Sequence, residues 1–154
     1  MELITQRAAS DADLDLIYQI VRDALGPYVV QTWGAWDDAA QRKRFDEVTR
    51  AQDHSILELD GQPIGCVCCR EMDGELRLIR LMILPAYQNR GIGTQILREI
   101  LAFADHRRLP VRLRVLRVNP ARRLYERHGF VMGQASETHY TMFRPQAGAC
   151  SSYR

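Results

Sequence analysis

The run LMILPAYQNRGIGTQILREILAFA, residues 81–104, decides how this chain folds. It begins as the apolar end of a strand and breaks at Pro85. From Gly91 it reads as a helix to about Arg108, with Ile92, Ile96, Ile100 and Phe103 on one stripe. The joint between the two, AYQNRGIGTQ, is either a plain strand-to-helix turn or a cradle for phosphate. The first turn of a helix offers amides with no acceptor inside the helix, and its dipole favours negative charge. Glycines at 91 and 93 remove Cβ atoms that would block a close approach. Arg90 places a cation where the helix dipole disfavours one. Two known loops do not match. A P-loop needs Gly-Lys-Ser/Thr, and Gly93 is followed by Thr94 and Gln95. A dinucleotide fingerprint needs Gly or Ala where Ile96 stands. On these residues alone, turn and cradle stand level.

Upstream, ELITQRAA alternates as a first strand. SDADLDLIYQIVRDALG reads as a helix capped by Ser10 or Asp11 and ended by Gly26-Pro27. PYVVQTWGAW then reads as an aromatic-rich connector, and DDAAQRKRFDEVTR as a second, charged helix. HSILELD and QPIGCVCCR are strands joined by the hairpin signal Asp60-Gly61. Asp73-Gly74 marks the next turn, before the strand ELRLIRLMIL. Downstream, VRLRVL is a strand. NPARRLYERHG is a short helix, with Asn119 as cap, Pro120 at its first position and Gly129 past its end. FVMGQA and THYTMFR are final strands. The order β-α-α-β-β-β-α-β-α-β-β predicts an α/β (α+β mixed) fold, with a mixed sheet and helices on both faces. Residues 1–144 are expected to form one domain, and 145–154 a frayed tail.

Composition agrees with a globular domain. The chain has 154 residues, is 46% hydrophobic and 26% charged, and carries no apolar run long enough to span a membrane. No signal pattern opens it, so a cytoplasmic location is expected. Cys66, Cys68, Cys69 and Cys150 show no paired metal-ligand spacing and are expected to be reduced thiols, with no metal. The net charge of +2 is unevenly placed. Residues 1–85 carry nine Lys/Arg against fifteen Asp/Glu, and residues 86–129 carry ten Arg against three acids. A solvated surface would show such an imbalance. So would a protein whose middle meets phosphates and whose first half meets a cation.

The run 81–104 together with NPARRLYERHGF, residues 119–130, resembles the GNAT superfamily of acyl-CoA-dependent N-acetyltransferases. The first piece carries that family's signature at Gln88, Gly91 and Gly93, after a long strand and a Pro and at the opening of a helix. The second carries Asn119, Tyr125, Gly129 and Phe130, in the family's order and at its separation. The resemblance covers residues 1–144 and implies the acyl-CoA N-acyltransferase fold, a mostly antiparallel sheet splayed at the cofactor site. It implies acetyl-CoA as co-substrate. Backbone groups of Met82, Ile83 and Leu84 would pair with the pantetheine arm. The stretch Gln88, Asn89, Arg90, Gly91, Ile92, Gly93 and Thr94 would hold the pyrophosphate. Asn119 and Ala121 would contact the pantetheine, and Tyr125 would protonate the leaving thiolate. The acceptor would be a small-molecule or peptide amine, attacking directly in a ternary complex. No nucleic acid and no membrane is implied, and homodimers are common in the family.

The sequence departs from the family in two places. Asn119 and Tyr125 are six residues apart, one fewer than in many members, and one residue turns a helical position by about 100°. Some members carry a catalytic Glu where Arg77 stands. Glu75 has the same parity as that position and is one candidate base, beside Glu58, Asp37 and Glu137. Tyr125 also suits a packed core position on the stripe Ala121, Leu124, Tyr125, His128. In this fold the connector between the first two helices lines the acceptor site, so Tyr28, Trp33, Trp36 and Asp37 would shape it. The two Trp side chains would equally serve to anchor the second helix. Readings of a different class are a CoA-binding regulatory module without activity and an Arg-rich nucleic-acid-binding domain. The latter would want aromatics among the arginines, and between Arg107 and Arg127 only Tyr125 is aromatic.

Overall fold

The computed structural model describes residues 3–148, so Cys150 and the end of the expected tail lie outside the described residues. The elements run β1 (Ile4–Ala8), α1 (Leu14–Trp33), α2 (Asp38–Val48), β2 (His54–Leu59), β3 (Gln62–Met72) and β4 (Glu75–Ile83). They continue α3 (Ile92–His106), β5 (Val111–Leu116), α4 (Ala121–Arg127), β6 (Val131–Ala135) and β7 (His139–Arg144). Their order is the one read from the sequence.

The strands hydrogen-bond in the order β1-β2-β3-β4-β5-β7-β6. Pairs β1–β2, β2–β3, β5–β7 and β6–β7 are antiparallel, while β4 and β5 run parallel over Leu76–Leu78. Two hairpin turns fix the middle strands. Asp60 and Gly61 have φ of 51° and 77°, and Asp73 and Gly74 have 55° and 74°. Both turns need two successive left-handed residues, which Asp-Gly supplies at low cost.

Two expectations are corrected. Helix α1 does not end at Gly26-Pro27. It runs on to Trp33 and stops at Gly34, whose φ is 91° and whose amide bonds back to the Val30 carbonyl. Proline removes one helical donor and crowds the residue before it. Here that residue is Gly26, with no Cβ to be crowded, and Val29 beyond the proline is buried. The expected connector is therefore mostly helix. In α3 the buried stripe is Ile92, Ile96, Leu97, Leu101 and Ala104, while Phe103 is exposed beneath the Arg107 guanidinium. Position 103 falls off the stripe because a helix turns about 100° per residue.

The chain divides into two compact units, the first ending at Cys68 and including Arg80–Gly93, the second formed by Cys69–Ile79 and the segment from Thr94 onward. In the first unit, Ile17, Ile20 and Val21 of α1 pack with Phe45 of α2, Ile56 and Cys66, and Trp36, Met82 and Leu84 lie against this cluster. In the second, Val111, Leu113 and Val115 alternate with exposed Arg112 and Arg114, and Met142 is fully buried. A two-pronged ion pair joins Arg144 to Asp105 at 2.8 and 3.1 Å. No helix among the described residues is long and apolar enough to cross a membrane.

Candidate functional site

The end of β4 and the loop after it are built around backbone geometry. The Leu84 amide still pairs with the Ile64 carbonyl of β3 at 2.8 Å. Pro85–Tyr87 then form a single 3-10 turn, closed by the Tyr87 amide on the Leu84 carbonyl. The Gln88 side-chain amide reaches back to the Ile83 carbonyl at 2.8 Å. Asn89 and Gly91 have φ of 63° and 81°, with Arg90 between them on the ordinary side. Alternation of this kind turns successive N–H groups toward one concavity, an anion-binding nest. Asn tolerates the left-handed region better than most side chains. A Cβ at Gly91 would meet nothing within 4 Å, so conformation, not crowding, demands the glycine there. Ile92 and Gly93 begin α3, whose first amides have no acceptor within the helix. Arg90 is exposed, its guanidinium 5.2 Å from the Tyr87 ring centre. Open space at Gly91, left-handed turns at Asn89 and Gly91, a helix start and a nearby cation are what a phosphate would require of these residues.

Gly65 was not singled out from the sequence. Its strand carries a bulge: Leu57 faces Gly65 while Glu58 faces Pro63, so Ile64 has no counterpart in β2. A Cβ on Gly65 would stand 2.2 Å from the Met82 carbonyl oxygen and 3.2 Å from its carbon. Only glycine admits the β4 backbone at this distance.

In the second unit, the Asn119 side-chain oxygen accepts from the Ala121 amide at 2.9 Å, but α4 starts one residue later than read from the sequence, with Pro120 at its cap and not at its first position. Gly129, at φ 91°, ends it, and the Phe130 amide returns to the Tyr125 carbonyl. Arg122 pairs with Glu126 at 3.2 Å. Tyr125 is 7% exposed and meets Phe130 edge-on, ring centres 5.6 Å apart. Burial, with a smaller contribution from the charge of Cys69, pushes the phenol up to about 12.

The remaining candidates have occupations of their own. Glu75 is clasped by Arg112 at 2.8 Å and Arg77 at 3.4 Å, at the end of β4 remote from Ile83. Glu58 pairs with Arg7 at 3.3 Å. Asp37 caps α2 by accepting from the Ala40 amide at 3.1 Å. Glu137 is exposed in the β6–β7 turn. The first three carboxylates are directed at partners of their own, which suits straps better than bases. Tyr28 lies within α1, where Thr32 donates to its carbonyl. Trp33 is the exposed last residue of α1, and Trp36 packs against the core and donates to Asp38 at 3.1 Å. Asp38 also accepts from the Tyr18 hydroxyl, and these two hydrogen bonds hold its carboxyl below the usual range.

His54 has partners that its sequence neighbourhood did not disclose. It is 4% exposed, with Nδ1 at 2.9 Å from the Arg50 carbonyl and Nε2 at 2.9 Å from Arg80. Nδ1 must therefore carry the proton and Nε2 accept, which leaves the ring neutral. No group of three or more His, Cys, Asp or Glu among the described residues is arranged to hold a metal.

Residues 14–130 match the model of the Acetyltransferase (GNAT) family, and the chain belongs to that family. Solved structures share its fold. The PaiA N-acetyltransferase from Thermoplasma acidophilum, in complex with coenzyme A, is 20% identical with a TM-score of 0.71, covering 93% of this chain and 99% of that one. The ribosomal-protein-S18-alanine N-acetyltransferase from Escherichia coli is 18% identical with a TM-score of 0.70, covering 97% and 98%. An acetyltransferase from Thermus thermophilus is 21% identical with a TM-score of 0.69, covering 94% and 99%. Among curated proteins no relative matches the chain significantly.

Proposed function

We propose that this member of the GNAT family transfers the acetyl group of acetyl-CoA to a primary amine, by direct attack in a complex that holds both. The observation that carries the reading is the alternating backbone at Asn89, Arg90 and Gly91, opening α3 directly after β4. Anion cradles of this kind hold phosphate through main-chain N–H groups. A second support is the neighbour solved in complex with coenzyme A.

Acetyl-CoA supplies an activated thioester, and the residues of this chain bind and orient it. The amides from Asn89 to Thr94 take the pyrophosphate, with Arg90 adding charge. The Met82–Leu84 backbone pairs with the pantetheine arm as an added strand would. Asn119 spends its side-chain oxygen on the Ala121 amide, so its NH₂ is the group offered to the arm. Tyr125 donates its hydroxyl to the sulfur. The attacking amine's proton passes to water, because Glu75, Glu58 and Asp37 are engaged elsewhere. Holding both reactants in line supplies much of the rate, on the order of several kcal/mol.

Calorimetry with acetyl-CoA and CoA, followed by a thiol-release screen over small amines, amino acids and peptide N-termini, tests the reading. Peptides belong in the panel because one structural neighbour is a ribosomal-protein-S18-alanine N-acetyltransferase. Binding with thiol release for at least one amine class is expected. Absence of acetyl-CoA binding overturns the assignment. Binding without release for any amine leaves only the CoA-binding part of it.

A further inference from the structure

We infer that Gly65, a residue of β3 outside every motif of this chain, is the positioning residue that aims the Ile83 amide for catalysis. The inference rests on the acetyltransfer reading above and adds to it the part that directs one donor. In the peptide joining Met82 to Ile83, the carbonyl oxygen is nearer to the Gly65 Cβ position than its carbon, 2.2 against 3.2 Å. The C=O bond therefore points at Gly65. Every peptide bond among the described residues is trans, and a trans peptide holds its N–H opposite to its C=O. The Ile83 N–H consequently points away from Gly65 and β3.

Three contacts lock this orientation. Leu84 binds the Ile64 carbonyl at 2.8 Å on the far side of the same peptide pair. The Ile83 carbonyl is held by Gln88 at 2.8 Å. The bulge at Ile64 shifts β3 so that the one residue without a side chain meets the Met82 oxygen. Any Cβ at 65 would collide with backbone, which cannot swing aside as a flexible side chain can. The peptide would have to rotate, and the Ile83 N–H would rotate with it.

The oxygen of a thioester under attack by an amine gains negative charge, and a fixed N–H aimed at it stabilises that charge. The Ile83 amide, one residue before Leu84 and Pro85, is such a donor. Gly65 acts through it without touching substrate.

The test uses acetyl-CoA alone, so it does not depend on the unidentified amine. Isotope-edited infrared spectroscopy of acetyl-CoA labelled at the thioester carbonyl should show a lowered stretch on binding the wild-type chain. Gly65→Ala should return the stretch toward its solution value, while calorimetric affinity for CoA, drawn from the loop as well as from the disturbed Met82–Leu84 pairing, falls by no more than about ten-fold. With an amine found active in the screen, kcat should fall by roughly 100-fold, the size expected for loss of one oxyanion donor, and by clearly more than KM for acetyl-CoA rises. A second measurement guards against a variant that fails to fold. In the wild-type protein, the Ile83 amide proton should move downfield with acetyl-CoA beyond its position with CoA. An unshifted Ile83 amide overturns the inference, as does a folded Gly65→Ala protein that keeps the lowered stretch. If the wild-type chain binds no acetyl-CoA, the acetyltransfer reading fails first, and the two failures are told apart.

Discussion

The side-chain amide of Gln88 donates to the main-chain carbonyl of Ile83 across 2.8 Å. The signature's first residue therefore braces the loop against the strand it leaves, fixing the cradle relative to the last residue of β4. Replacing Gln88 with Leu removes the donor and leaves a partly buried carbonyl short of a partner. A loss of about 1 kcal/mol in stability is expected. Affinity for acetyl-CoA should weaken by roughly ten-fold, about the value of one such bond. Thermal denaturation and calorimetry on the same preparation check both numbers.

Gly91 separates the conformational demand of the cradle from its packing. With φ at 81° and open space where a Cβ would go, Gly91→Ala meets only backbone strain, on the order of 1–2 kcal/mol. Gly91→Val adds a branched side chain that resists the left-handed region and intrudes on the concavity. Acetyl-CoA affinity is expected to fall modestly for Ala and by more than about 100-fold for Val. Equal affinity for both variants and the wild type would show that the cradle binds nothing.

The site was legible where a residue's type alone dictates its backbone. Asp60-Gly61, Asp73-Gly74, Asn119 and Gly129 each impose a local geometry, and each is found in it. Leu97 and Leu101 were passed over in favour of Ile100 and Phe103 because a helix stripe read from one face can be turned by a residue without losing its period. Gly26 hid the continuation of α1, since Gly-Pro ordinarily stops a helix. Gly65 and the His54–Arg80 pair were beyond reach for a different reason. Each is defined by a partner on another strand, Met82 for the glycine and Arg80 for the histidine, and sequence spacing carries no information on such cross-strand meetings. The engagement of Glu75 by Arg112 belongs to the same class.

Arg144 and Asp105 set a stability that depends on acid. The guanidinium bonds both carboxylate oxygens and holds Asp105 below its ordinary value. The unfolded chain therefore binds the Asp105 proton at higher pH than the folded one does. The stabilisation is complete above the ordinary carboxylate range of about 4 and fades as pH falls through the lower folded value. Asp105→Asn should melt below the wild type at pH 7, and the gap should narrow progressively below about pH 4. A gap constant with pH would assign the difference to packing.

Tyr125 carries the most detailed expectation. Its phenol, at about 12, is weaker as an acid than a free thiol near 8.5 by more than a factor of about a thousand. Full proton transfer to a thiolate is then uphill by on the order of 5 kcal/mol. The hydroxyl is suited to hydrogen-bond the departing sulfur, with the proton itself arriving later from water. Tyr125→Phe should thus lower kcat by roughly 10- to 100-fold, the scale of one lost hydrogen bond to a charged group, with acetyl-CoA affinity nearly unchanged. A second readout is alkaline. The folded state keeps the phenolic proton up to about 12, whereas an unfolded tyrosine loses it near 10. Folded protein binds more protons in that window, so stability declines as pH rises through it, and the Phe variant lacks this decline. The wild-type advantage in denaturant midpoint should shrink between pH 10 and about 12. An unchanged kcat would remove Tyr125 from the chemistry and leave it as packing against Phe130, while an unchanged alkaline profile would show that its hydroxyl is solvated in the folded protein.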